Sequence, residues 1–143
     1  MITNSNEAKR IETRSEVDTY LDRLKYSLID SQAKLQFQKE RLTDMQRNER
    51  FTNRYTVVDL FPDEDPVDAL KRELLTLGAE NYIETVKDTR FPHKSEMRVF
   101  GKRYGADVYI KFRVDMINGN IVFVMSFHYA EYPFSESDFP YII

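Results

Sequence analysis

The 143-residue chain has no cysteine and no tryptophan, and it carries only two histidines, four glycines and five prolines. Without a thiol, disulfide frameworks, thiolate nucleophiles, zinc ribbons and iron–sulfur centres are excluded. With two imidazoles, a protein-built transition-metal site is not expected. No cofactor is expected. No run reaches the roughly 18 to 20 apolar residues of a membrane helix, and residues 1–14 are polar with no apolar signal core. The expectation is a cytoplasmic protein with no membrane partner. An excess of one charge is also missing: 21 Lys plus Arg against 24 Asp plus Glu give a formal charge of −3. That balance does not describe a general nucleic-acid coat protein, so the local distribution of charge has to carry any such reading.

What the chain does have is ring surface, with 10 Phe and 9 Tyr among 41% hydrophobic residues. At this length those side chains can exclude enough water for one core without covalent staples. The polar residues 1–14 read as an unassigned N-terminal tail. Ser15 is a candidate cap for a helix that places Val17, Tyr20, Leu21, Leu24 and Leu28 on one face. Residues 32–50 lack Gly and Pro but space Leu35, Phe37, Leu42 and Met45 sparsely among Lys, Arg, Gln and Glu, which predicts a solvated helix or an interaction arm. Residues 56–61 have strand composition and end at Pro62. Asp65 as N-cap, Pro66 at the first helical position and Gly78 as stop frame a helix that buries Val67, Leu70, Leu74 and Leu77. A short helix around Tyr82 and Ile83 is predicted for residues 79–86.

The last third shows the period of a sheet. Residues 97–100 are strand-like, and in residues 106–114 Val108, Ile110, Phe112 and Val114 alternate with Asp107, Tyr109, Lys111 and Arg113. Asn118-Gly119 suits a two-residue type I′ turn into a further strand over residues 121–127. The predicted fold class is α+β: N-terminal helices packed on a C-terminal antiparallel sheet. Residues 15–143 form one domain, with 15–50 a helical extension and 56–143 the core.

With that turn, Phe112 opposes Met125, Ile110 opposes Phe127 and Val114 opposes Phe123 on an apolar face. The other face pairs Tyr109 with His128, Lys111 with Ser126 and Arg113 with Val124. Tyr109, Lys111, Arg113 and His128 then fall within cross-strand reach of one another. Metal-free RNA cleavage needs such a group: a proton acceptor at the 2′-hydroxyl, an acid at the leaving 5′-oxygen and cations for the crowded phosphate. An unperturbed imidazole titrates near 6.5 and can serve as base or acid. The same residue types are also ordinary on a solvent-facing strand.

From residue 87 to 113 eight Lys or Arg stand against three acids, and Lys87, Arg98, Lys102 and Arg113 are the candidates for following an RNA backbone. Lysine on a strand edge also discourages aggregation. The acids Asp63, Glu64, Asp65 and Asp68 read as a helix start rather than a cation site. His93 reads as an exposed loop residue. No Gly-rich phosphate loop, zinc-binding His-Glu-x-x-His or nucleophile elbow is present.

Val99-Phe100-Gly101-Lys102, then Val108-Tyr109-Ile110-Lys111-Phe112, then Met125-Ser126-Phe127-His128-Tyr129-Ala130-Glu131-Tyr132-Pro133 resemble the C-terminal half of MqsR-type toxins of type II toxin–antitoxin systems. The likeness is to divergent Gram-positive and phage-borne members. Leu74-Leu75-Thr76-Leu77 with Asn81-Tyr82 resembles that family's second helix and its exit, so the likeness covers about residues 65–133. It implies a RelE/MqsR-like fold with residues 56–143 as the toxin-like core, a metal-independent endoribonuclease activity on mRNA, and inhibition by a cognate antitoxin. By position, Tyr109 matches the family's active-site tyrosine, and His128 falls where founding members place a lysine. The family's lysine after the second helix aligns near Glu84, with Lys87 one turn on, and its glutamine aligns near Met97, so two of four expected groups are absent or displaced. The catalytic candidates are Tyr109, Lys111 and His128. The rival expectations are a catalytically inactive interaction or regulatory protein of a phage or mobile element, and an RNA-binding module without cleavage.

Overall fold

The computed structural model describes residues 6–30, 33–115 and 121–142. Six strands form one sheet: β1 (Glu7–Arg10), β2 (Lys34–Phe37), β3 (Tyr82–Asp88), β4 (Met97–Arg103), β5 (Asp107–Asp115) and β6 (Ile121–Tyr129). Their spatial order is β1-β3-β4-β5-β6-β2, antiparallel throughout except where β2 runs parallel to β6. Three helices accompany them: α1 (Arg14–Lys25), α2 (Asn53–Leu60) and α3 (Pro66–Leu74). The fold class is α+β, as the composition and patterning predict.

Because β1 and β2 lie at opposite edges, α1 and the π-helical turn Tyr26–Asp30 that follows it carry the chain across the sheet. The predicted apolar face of α1 is the buried one, with Val17, Tyr20, Leu21 and Leu24 all in the core. Its cap is Thr13 rather than Ser15: the Thr13 hydroxyl accepts from the Glu16 amide, and the Glu16 carboxylate accepts from the Thr13 amide. In α3, Asp65 caps and Pro66 opens the helix as expected, and Leu70, Leu74 and Leu77 are buried. These helices and one face of the sheet enclose the main core around Tyr82, Phe100, Phe112 and Phe127.

Four local expectations are corrected. Residues 7–10 of the supposed tail are an edge strand, since their backbone pairs with β3 although their side chains bury little. Residues 34–37 are strand β2, in which Leu35 goes into the core while Lys34 and Gln36 stay exposed. Four residues are too few to display a period, so the segment reads as a sparse helix. Residues 56–60 belong to helix α2 instead of a strand, with Phe61 as its C-cap: Thr52 caps the start, and burial of Asn53, Thr56 and Val57 overrides the β-branched composition. Residues 82–88 are strand β3, not a short helix. A register shift between Tyr82 and Glu84 breaks the two-residue period there, which makes 82, 83 and 86 imitate helical spacing.

The β5–β6 pairing holds as predicted for Tyr109 with His128, Ile110 with Phe127 and Lys111 with Ser126, then slips by one residue. Beyond the slip Phe112 faces Val124, Arg113 faces Phe123 and Val114 faces Val122. The predicted pairs Phe112–Met125, Val114–Phe123 and Arg113–Val124 are therefore replaced. Met125 is the extra residue of the bulge, so it and Phe123 turn away from the main core. The Asn118-Gly119 turn lies outside the described residues.

Candidate active site

Helices cover one face of the sheet, and the other carries a cleft of about 870 Å³. Its floor consists of Ile83, Val86, Met97, Tyr109 and Met125, which form one apolar patch with Val99 and Phe123. Tyr109 and His128 stand on this floor as cross-strand partners, with rings stacked at 5.4 Å between centroids and 23° between planes. The apolar setting explains both titrations. Burial holds the Tyr109 phenol well above its ordinary range, and the nearby Glu84 and Glu7 carboxylates push it the same way. Burial lowers His128 to about 4, outweighing its hydrogen bond to the Tyr129 carbonyl, and the guanidiniums of Arg47 and Arg41 add to the depression. The imidazole is therefore neutral at pH 7.

Its tautomer follows from that contact. Nδ1 lies 2.9 Å from the Tyr129 carbonyl oxygen, which can only accept, so Nδ1 carries the proton and Nε2 keeps a free lone pair. His128 is thus an acceptor toward the cleft, and Tyr109 beside it keeps its hydroxyl proton at neutral pH.

The predicted cations divide between the two faces. Lys111 and Arg113 line the cleft with Tyr109 and His128. Lys111 Nζ is held 3.1 Å from Glu7 of β1, and the Arg113 guanidinium lies 4.6 Å over the Phe123 ring. Arg98 points to the helical side, where it binds Glu12 at 2.8 Å and covers the Tyr20 ring at 4.1 Å. Lys102 is hydrogen-bonded to the Thr76 hydroxyl, and Lys87 to the Lys94 carbonyl; neither lines the cleft. Of the positions where the family pattern departs, Glu84 lines the cleft and pairs with Lys9 at 3.4 Å, while Met97 is part of the floor.

Sequence reasoning missed Arg41 and Arg47. Both come from the connection between β2 and α2 and reach over β6 into the cleft. Arg41 donates to the Ser126 hydroxyl at 3.3 Å, and Arg47 donates to the Phe51 carbonyl at 3.4 Å. Burial and the repulsion of Arg47 lower the Arg41 pKa, yet a guanidinium stays charged at any physiological pH. The run Lys39, Arg41, Arg47 and Arg50 was the available signal, but nothing in it indicates which strand it folds over.

Among the described residues, no group of three or more His, Asp or Glu is arranged to hold a metal ion, and no helix is long and apolar enough to cross a membrane. No family model, curated protein or solved structure matches this chain.

Proposed function

We propose that this protein is a metal-independent endoribonuclease of the cytoplasm that acts on mRNA and is restrained by a cognate antitoxin. One observation carries the reading: a neutral imidazole with a free Nε2 stacks on a protonated phenol inside a cleft whose arginines and lysine are placed for phosphate oxygens. The resemblance of residues 65–133 to MqsR-type toxins implies the same activity, with Tyr109 at the position of that family's active-site tyrosine.

In the proposed reaction the RNA 2′-hydroxyl oxygen attacks the adjacent phosphorus while its proton passes to His128 Nε2. The P–O5′ bond breaks, the 5′-oxygen takes a proton from the Tyr109 hydroxyl, and a 2′,3′-cyclic phosphate remains. A phenol with a raised pKa is a poor acid toward water but still protonates an alkoxide, which is a far stronger base. Arg41, Arg113 and Lys111 offset the charge that accumulates on the phosphate oxygens. The phosphodiester's own negative charge raises the His128 pKa as substrate arrives, which strengthens a base that burial keeps weak in the free protein.

The test is incubation of single-stranded RNA with purified protein in EDTA. Cleavage is expected, and His128→Ala should slow it by roughly two to four powers of ten. Expression in cells should arrest growth, and the same substitution should relieve the arrest. Intact RNA with the parent protein would reject the reading.

A second reading, a catalytically silent interaction protein, is favoured by Leu42 and Met45, which are 90% and 87% exposed beside Arg41. It predicts that expression is harmless and that Leu42→Ser with Met45→Ser abolishes partner capture without touching RNA.

A further inference from the structure

Two large aromatic rings stand exposed on the rim of the cleft, Phe91 at 47% and Tyr132 at 74%. They lie at opposite ends of it. Phe91 is in the β3–β4 connection, beside the end of β5, whereas Tyr132 follows β6, beside the start of β5. The stretch of β5 between the two ends, from Asp107 to Arg113, spans roughly 20 Å at the rise of a strand. Tyr109 and His128 stand between them, nearer Tyr132.

Neither ring belongs to a loose loop. The Phe91 amide donates to the Asp88 carbonyl at 3.1 Å, and its carbonyl accepts from the Lys94 amide at 3.0 Å. On the other side Asp107 anchors both flanks of Tyr132: its carbonyl accepts from the Ala130 amide at 2.8 Å and its carboxylate from the Phe134 amide at 2.9 Å. Backbone held this firmly, with a ring left in water, is the arrangement of a preorganised contact surface. Charge selects the occupant. Lys94 and Arg90 sit over the Phe91 ring, 4.9 and 5.6 Å from its centroid, where a nucleobase would displace one of them onto a flanking phosphate, and Arg113, Arg41 and Arg47 line the cleft that also holds Tyr132. Flat apolar faces alternating with cations suit unpaired nucleobases joined by phosphates, and do not suit a duplex, whose bases are already stacked.

The geometry points to Phe91 and Tyr132 as two nucleobase-stacking platforms that bracket the scissile phosphate, so that an unpaired RNA strand is stretched along β5 over the Tyr109–His128 pair. This rests on the endoribonuclease reading and adds the two residues that seat the strand. Replacement of either platform should weaken binding of single strands and leave the chemistry of a bound strand intact.

The experiment measures fluorescence anisotropy of a 5′-labelled, mixed-sequence RNA with 2′-fluoro sugars, which cannot be cleaved, against the matching duplex and a DNA strand of the same sequence. The expected result is tighter binding of the single strand than of the duplex, with Phe91→Leu and Tyr132→Leu each weakening it roughly 5- to 100-fold. Phe91→Tyr and Tyr132→Phe should restore binding. DNA should also stack on the platforms and bind, because a π-face needs no 2′-hydroxyl. Cleavage of ordinary RNA by the leucine variants should show a raised KM with little change in kcat. Leucine variants that bind like the parent, or a duplex that binds as tightly as the strand, would overturn the platforms while leaving cleavage by the parent in place. A parent that neither binds nor cleaves RNA would overturn the platforms and the endoribonuclease reading together.

Discussion

Asn53 grips β6 at its bulge and two residues beyond: its side-chain oxygen accepts from the Phe127 amide at 3.0 Å, and its nitrogen donates to the Met125 carbonyl at 2.9 Å. The same nitrogen reaches the Gln38 carbonyl at 2.7 Å, just past the end of β2. Where β2 stops pairing with β6, one buried amide of α2 continues the work of a neighbouring strand. Thr56 does likewise one step on, accepting from the Tyr129 amide at 2.9 Å. The bulge they hold decides which side chains reach the cleft, because the extra residue sends Met125 to the floor while keeping His128 opposite Tyr109.

Asn53→Ala therefore should cost about 3 kcal/mol, since it leaves buried backbone groups of β6 without partners. For a domain of this size the melting temperature should fall by roughly 6 to 12 °C. Thermal denaturation checks this, and a variant that melts with the parent would mean that water replaces the amide.

The low His128 pKa gives a pH signature. In the unfolded chain the imidazole takes up its proton near pH 6.5, and in the folded protein only near about 4. Between those values the unfolded state binds more protons, so this residue's contribution is complete above pH 6.5 and is lost as pH falls toward 4, by roughly 3 kcal/mol. His128→Gln should flatten stability across that window in denaturant titrations. For cleavage, the acidic limb of kcat/KM should lie near pH 4 and activity should be level from pH 6 to 8. A limb at 6.5 would mean that the free protein exposes the imidazole to water.

Arg98 should behave as a structural cation. Glu12, only 4% exposed, receives Arg98, the Thr85 hydroxyl and the charge of Arg10. Burial alone would raise its pKa, but these partners hold the carboxylate below its ordinary value. The pair's contribution is present above the unfolded carboxylate pKa and is lost as pH falls through the lower folded one. Arg98→Ala should cost about 3 to 5 kcal/mol at pH 7, less at acid pH, and leave RNA affinity unchanged below the melting temperature. A stable variant with weakened RNA binding would return Arg98 to the nucleic-acid surface.

Glu7 of β1 holds the Lys111 ammonium at 3.1 Å, and the proposed reaction needs that cation for phosphate. The strand that carries Glu7 buries little, so ion pairs and backbone pairing with β3 hold it. Glu7→Gln should tighten RNA binding about two- to five-fold and steepen its decline with salt, as one more cation becomes available. Affinity that is unchanged or weaker would show that Glu7 positions Lys111 instead of withholding it.

The strands from residue 97 onward were legible because alternation over nine residues in β5 leaves one solution. Tyr109 opposite His128 rests on an assumed two-residue turn at Asn118-Gly119; the pairs from Asp115 to Phe112 are one residue off that register, and the bulge restores it at Lys111. The slip after Lys111 was not legible, since a bulge is fixed by Asn53, which lies 72 residues from Met125 in sequence. Arg41 was hidden for the same reason, since its partner Ser126 is on β6; Arg47 bonds Phe51 within its own connection, and the strand that delivers both is four residues long. Lys87, Arg98 and Lys102 stand in the same basic run as Arg113, but composition does not say which face of a strand a lysine or arginine uses.

The most direct measurement is end-group analysis of RNA incubated with the protein in EDTA. The account predicts fragments ending in 2′,3′-cyclic phosphate and beginning with a 5′-hydroxyl, lost in His128→Ala and strongly reduced in Tyr109→Phe. Fragments with 5′-phosphate ends, or cleavage undiminished in His128→Ala, would contradict it.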